Sequence, residues 1–184
     1  MNRGVSRPQR LRRIVACLLM LALAAASLPA DAQIERKTGE SGLPLPRFVS
    51  LKADRVNVRR GPGYDHEIAW VFLRAGLPVE IIAEFDNWRQ IRDSDGAEGW
   101  VIGSLLSGRR TALVAPWIKA KNNRTFALRA DDSPSARVIS RLGPSVLVDV
   151  MSCDGTWCEV VAHDLRGWMR QDDLWGVYAR ETIE

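Results

Sequence analysis

Apolar and polar positions alternate along Val79-Glu80-Ile81-Ile82-Ala83-Glu84-Phe85, where every odd position is apolar and Glu80 and Glu84 fall on the opposite face. A period of two residues predicts a half-buried strand. Val146, Val148 and Val150 repeat the pattern, with Asp149 facing the other way. Beyond the first 32 residues no segment carries a long apolar stripe at helical spacing. Instead, short runs such as Val56-Asn57-Val58-Arg59 and Asn87-Trp88-Arg89-Gln90-Ile91 are punctuated by Gly61-Pro62-Gly63, Gly76 and Gly99. Many short strands with turn signals at close intervals predict an all-β barrel or sandwich. A unit of about 60 residues has a marginal core, and curling one sheet onto itself buries that core and removes open edges.

The same signals return in the same order further along. Phe126-Ala127-Leu128-Arg129 answers Val56 to Arg59, Gly143 answers Gly76, and Val146 to Val150 answers Val79 to Ala83. Trp157 answers Trp88, Val160 answers Ile91, and Gly167-Trp168 answers Gly99-Trp100, at offsets of 70, 67, 67, 69, 69 and 68 residues. Self-similarity at a steady period marks duplicated units. The chain therefore divides into residues 1–32, a leader over 33–47, a first domain over 48–108, a linker over 109–120 broken by Pro116, and a second domain over 121–184. The leader, with Gly39, Gly42, Pro44 and Pro46 and no sustained period, predicts flexible chain without regular structure.

Val56-Asn57-Val58-Arg59-Arg60-Gly61-Pro62-Gly63, followed by Gly76, Trp88 and Gly99-Trp100-Val101, resembles the bacterial SH3 (SH3b) family. The resemblance covers the first domain end to end and names the fold as all-β, two tandem small SH3-like β-barrels. It implies binding and not catalysis, with peptidoglycan peptide as the ligand class. It also implies a ligand groove among the loops around Arg60 to Gly63, gathering Asn57, Arg59, Tyr64, Asp65 and Trp88. A concave aromatic patch with a few polar groups has the general form of a recognition site. The second copy departs from the pattern: Ala130-Asp131-Asp132-Ser133-Pro134 stands where the first has Arg60 to Tyr64. A groove is therefore expected on the first copy.

Residues 1–32 have the layout of a secretory signal peptide. Arg3, Arg7, Arg10, Arg12 and Arg13 precede an apolar run from Ile14 to Leu28, and Ala30-Asp31-Ala32 is a small-x-small cleavage site. A retained anchor would need about 18 or more apolar residues, and a lipid-modified Cys17 would follow the apolar run instead of opening it. Cleavage changes the charge. The whole chain holds 26 Lys and Arg against 22 Asp and Glu, and losing five arginines and Asp31 leaves 21 of each. A neutral mature chain excludes a global basic footprint for nucleic acid. The expected location is periplasmic, with no stable membrane span after cleavage.

Cysteine usage agrees with export. Cys153 and Cys158 remain as an even pair flanking Asp154-Gly155-Thr156-Trp157. Asp-Gly between strands signals a hairpin turn, and in an oxidising compartment the pair predicts a structural disulfide. Redox and zinc readings fit less well, because the spacing is not C-x-x-C and His66 and His163 have no ligand-like spacing to it. At an offset of 69, Glu84 and Arg89 occupy the corresponding places, predicting a cross-strand ion pair.

Catalytic constellations are missing from the sequence. His66-Glu67-Ile68-Ala69-Trp70 starts like a zinc-protease helix but has Trp70 where the second histidine belongs, and Arg60 to Gly63 lacks the Lys and Ser of a P-loop. No cofactor, no metal and no enzymatic activity are expected. Seven tryptophans stand out. Trp100 and Trp168, beside glycine, are expected in structural positions. Trp88 and Trp157, three residues before the inward Ile91 and Val160, are expected near the surface. The leading reading is a non-catalytic envelope-binding protein. The rivals are a module docking on a periplasmic protein, and an enzyme of unrecognised type.

Overall fold

The structure, a computed structural model, describes residues 37–119 and 123–184. The expected signal peptide over residues 1–32, the start of the leader and Cys17 lie outside the described residues. Residues Arg36 to Glu184 form one compact unit. The leader is not featureless: β1 (Lys37–Thr38) pairs antiparallel with β2 (Pro44–Leu45), closing a small hairpin. Glycine and proline there shape a turn, with Gly42 at φ +77°. The expectation of a structureless 33–47 is corrected by that hairpin.

The first domain contains β3 (Arg47–Leu51), β4 (Val56–Arg59), β5 (Ile68–Phe72), β6 (Pro78–Phe85), β7 (Trp88–Arg92), β8 (Glu98–Ile102) and β9 (Leu106–Ser107). They form one seven-stranded sheet in the order β5-β4-β8-β7-β6-β3-β9. Its curl encloses Leu51, Val56, Val58, Val79, Ile81, Ile91 and Val101. Alternation explains most of this core, but it slips once. Ile81 pairs with Ile91 and Ala83 with Gln90, so Ile82 is a bulge residue that reverses the phase of β6. Beyond it Glu84 turns inward and Phe85 is exposed, the reverse of the uninterrupted alternation.

The second domain repeats the order with β10 (Thr111–Val114), β11 (Phe126–Arg129), β12 (Val138–Leu142), β13 (Leu147–Asp154), β14 (Trp157–Ala162), β15 (Leu165–Arg170), β16 (Leu174–Trp175) and β17 (Thr182–Ile183). The sheet runs β12-β11-β15-β14-β13-β10-β16, and β17 adds to β13. The fold class is the all-β, tandem-barrel architecture expected. The boundary is different: β10 falls inside the expected linker 109–120 and is fully buried. Its counterpart is β3, since the Leu51 and Val114 amides donate to the equivalent carbonyls of Leu77 and Val146. The same hydrogen bonds correct the repeat, because Gly76 N–H donates to Leu51 O and Ser145 N–H to Val114 O. Ser145 at φ +60°, not Gly143, takes the place of Gly76 at φ +77°.

The barrels touch directly. Phe48, on the outer face of β3, packs against Trp175 at 5.1 Å and Tyr178 at 4.8 Å between ring centroids. Tyr178 Oη donates to Glu80 Oε1 at 3.0 Å, and Thr111 Oγ1 to Gly76 O at 2.7 Å.

Candidate functional site

Strand β4 alternates: Val56 and Val58 point into the barrel, so Asn57 and Arg59 stand on its outer face. Trp88 faces outward as well, because it pairs with Ile102 two residues along each strand from Gln90 and Trp100, while Ile91 faces the core. The loop between β4 and β5 then folds back over this face. Arg59 Nη1 holds the loop by donating to the carbonyls of Tyr64 at 3.0 Å and His66 at 2.5 Å. Tyr64 is thereby set edge-on against Trp88, with ring centroids 5.1 Å apart and planes 73° apart, and the Arg59 guanidinium lies 5.4 Å from the Tyr64 ring centre.

The result is a concavity of about 260 Å³ lined by Arg55, Asn57, Arg59, Tyr64, Trp88, Ile102, Ser104 and Leu105. Four of the five residues expected at the groove meet there. Asp65 is exposed and does not line it. Arg55, Ile102, Ser104 and Leu105 were not singled out from sequence. The strand period places Ile102 outward opposite Trp88, but only the register of β7 on β8 reveals that neighbour. Ser104 and Leu105 come from a 3-10 turn after β8 that has no apolar periodicity.

The tryptophans reverse one expectation. Trp88 and Trp157 do face away from the cores, yet they are only 7% and 6% exposed, Trp88 packing against Tyr64 of the loop and Trp157 lying beneath Arg170 of β15. Trp100 and Trp168, expected in structural positions, are half-buried on outward positions of β8 and β15, where the neighbouring glycines take the inward places. Trp88 is therefore the floor of the groove, and the 70% exposed Tyr64 is its accessible wall.

Charge in the groove is one-sided: two arginines line it and no carboxylate does. Arg59 is engaged by carbonyls, which leave its charge uncompensated, and Arg55 is exposed. Asn57 Oδ1 is shut off from solvent without a donor. A buried acceptor without a partner is costly, about 1–3 kcal/mol.

In the second barrel the same position is built differently. Arg129 Nη1 donates to Ala136 O at 2.8 Å, repeating the Arg59 bond to His66. Thr125, Ala127 and Pro134 replace Arg55, Asn57 and Tyr64. Arg170, the partner of Trp157 in the ladder, lies 5.4 Å from its ring centre and pairs with Asp172 at 3.1 Å. Where the first barrel leaves a cationic concavity beside its indole, the second lays its own ion pair over the indole.

No group of three or more metal-ligating side chains occurs among the described residues. No helix among them is long and apolar enough to cross a membrane.

A family model described as Bacterial SH3 domain matches residues 52–108 and 122–176. The Bacillus subtilis (strain 168) protein named "Putative N-acetylmuramoyl-L-alanine amidase YrvJ" is 24% identical over 141 residues, covering 70% of this chain and 27% of that protein. Among solved structures, NlpC2 from Trichomonas vaginalis is similar over 71% of this chain and 48% of that one, at 13% identity and a TM-score of 0.31. An NlpC/P60 family protein from Bacillus cereus ATCC 10987 is similar over 70% of this chain and 55% of that one, at 11% identity and a TM-score of 0.31. The chain thus spans about a quarter of that curated relative and about half of each solved chain.

Proposed function

The chain belongs to the bacterial SH3 domain family, and from that premise we propose that it is an exported cell-wall-binding protein that holds peptidoglycan peptide in the groove of its first barrel. The observation that carries this reading is the concavity floored by Trp88, walled by Tyr64 and edged by Arg55, Asn57 and Arg59. Aromatic faces bind extended peptide at low entropic cost, and a few fixed polar groups orient it. The name of the Bacillus subtilis relative, "Putative N-acetylmuramoyl-L-alanine amidase YrvJ", supports the ligand class. Catalysis is not part of the proposal, since the groove presents no nucleophile paired with a base. Export to the periplasm is supported by the basic, apolar and small-residue order of residues 1–32, and by a cysteine pair suited to an oxidising compartment.

Co-sedimentation of the mature protein with purified peptidoglycan sacculi tests the proposal. We expect retention of the wild type and loss of most of it in Tyr64→Ala, whose exposed ring can be removed without opening the core. A wild type that stays in the supernatant, or a Tyr64→Ala protein retained as well as wild type, overturns the reading.

A further inference from the structure

We propose that the first-barrel groove recognises a free carboxylate on its peptide, with Arg55 as the group that receives it. The inference rests on the peptide-binding reading and deepens it. Three observations lead there. Arg55 and Arg59 both line the concavity, and no acidic side chain does. Arg59 already donates to two carbonyls that fix the Tyr64 loop, so its role is to hold the wall and supply a positive field. Arg55 is exposed and forms no ion pair among the described residues, which leaves its guanidinium available for a planar, bidentate partner.

The other barrel supplies the contrast. There the position of Arg55 is Thr125, and Ile102 and Ser104 correspond to Arg170 and Asp172, which neutralise each other above Trp157. The two barrels share the buried indole and the loop-holding arginine. They differ in whether a cationic, open space is left beside it. An uncompensated pair of arginines next to an aromatic floor selects a ligand with an anionic end and an apolar body, which is the chemistry of a short peptide ending in a carboxylate.

Soluble muropeptides supply the probe, used either as released or after their carboxylates have been converted to amides. Isothermal titration of the mature chain should show amidation weakening binding by about tenfold, the value of one charge-assisted bidentate contact. Arg55→Gln should lose the same factor against the free acid and nothing further against the amide. Ile102→Arg combined with Ser104→Asp should import the ion pair of the second barrel and abolish binding of both forms. If acid and amide bind equally, or Arg55→Gln weakens both alike, the carboxylate proposal is overturned while the peptide-binding reading stands. If neither form binds, and sacculi do not retain the protein, both fail together.

Discussion

Glu84 lies at the inner end of β6 with its side chain 1% exposed, an environment that would ordinarily neutralise a carboxyl group. Burial by itself raises its pKa. The Ser41 amide, Arg47 and the Ser41 hydroxyl outweigh that and bring it down from 4.5 to about 2. The contacts are short: Ser41 N–H and Oγ donate at 2.7 Å each, and Arg47 and Arg89 pair at 2.6 and 3.2 Å. A single carboxylate therefore ties the 37–46 hairpin to the barrel, helped by Asp86 N–H donating to Glu40 Oε2 at 2.9 Å. Because the folded pKa lies below the unfolded one, this stability is complete above about pH 4.5 and is lost as pH falls toward 2. Its size is up to about 3 kcal/mol. Thermal melts at pH 7 and pH 3 should show the wild type losing more than half of that contribution. Glu84→Gln should start about 2–3 kcal/mol less stable and lose correspondingly less on acidification. Equal acid sensitivity in the two proteins would remove Glu84 from this role.

At the level of elements, the hairpin of β13 and β14 occupies the place that β6 and β7 occupy in the first barrel. Cys153 pairs with Cys158 in register, as Glu84 pairs with Arg89, and the disulfide joins them. Both sulfurs belong to the second core, at 5% and 0% exposure. Closing so short a loop is worth about 2 kcal/mol on the chain-entropy account. Replacing both cysteines with serine should lower the melting temperature by several degrees while leaving sacculus retention unchanged. Loss of retention would connect this hairpin to the site.

The sequence revealed the hairpins themselves because alternation and an Asp-Gly turn are local signals. It did not reveal β10, four buried residues without alternation whose partner Leu147 to Asp149 lies more than thirty positions away. It also could not show that Ile82 is a bulge, since only the pairing of two strands counts residues against each other. The groove was legible where the family resemblance marks it, at Asn57, Arg59 and Tyr64 on β4 and the segment after it and at Trp88 on β7. Ile102, Ser104 and Leu105 were not, because the curl of the sheet brings them there.

Across the whole molecule, the outer face of β3 and β6 is covered by the end of the chain. Phe48 and Glu80 are register partners in the ladder, so they present one apolar and one charged group side by side on that face. Trp175 and Tyr178 close over both, and Tyr178 Oη donates to the carboxylate that Arg92 also holds at 3.2 Å. Behind this contact Arg110 anchors the tail, donating to Gly176 O and to both carboxylate oxygens of Glu181 at 3.0 Å each. The buried bond from Thr111 Oγ1 to Gly76 O ties the first strand of the second barrel to the first barrel. Barrels of this size have marginal cores alone, and an apolar, hydrogen-bonded junction makes the stability of each depend on the other. Thermal unfolding of the two-barrel protein should therefore be a single transition. Tyr178→Phe should lower stability by about 1–2 kcal/mol through the lost bond to a charged acceptor. Phe48→Ala should cost about 3 kcal/mol, at the low end for a buried phenyl ring, since part of the cavity can refill. Amide exchange should speed up in both barrels in Phe48→Ala, including at Val160 and Met169, which lie in the second core and do not belong to the barrel carrying the substitution. Exchange confined to the first barrel, or two separate melting transitions in the wild type, would mean that the barrels fold independently and that the junction only orients them.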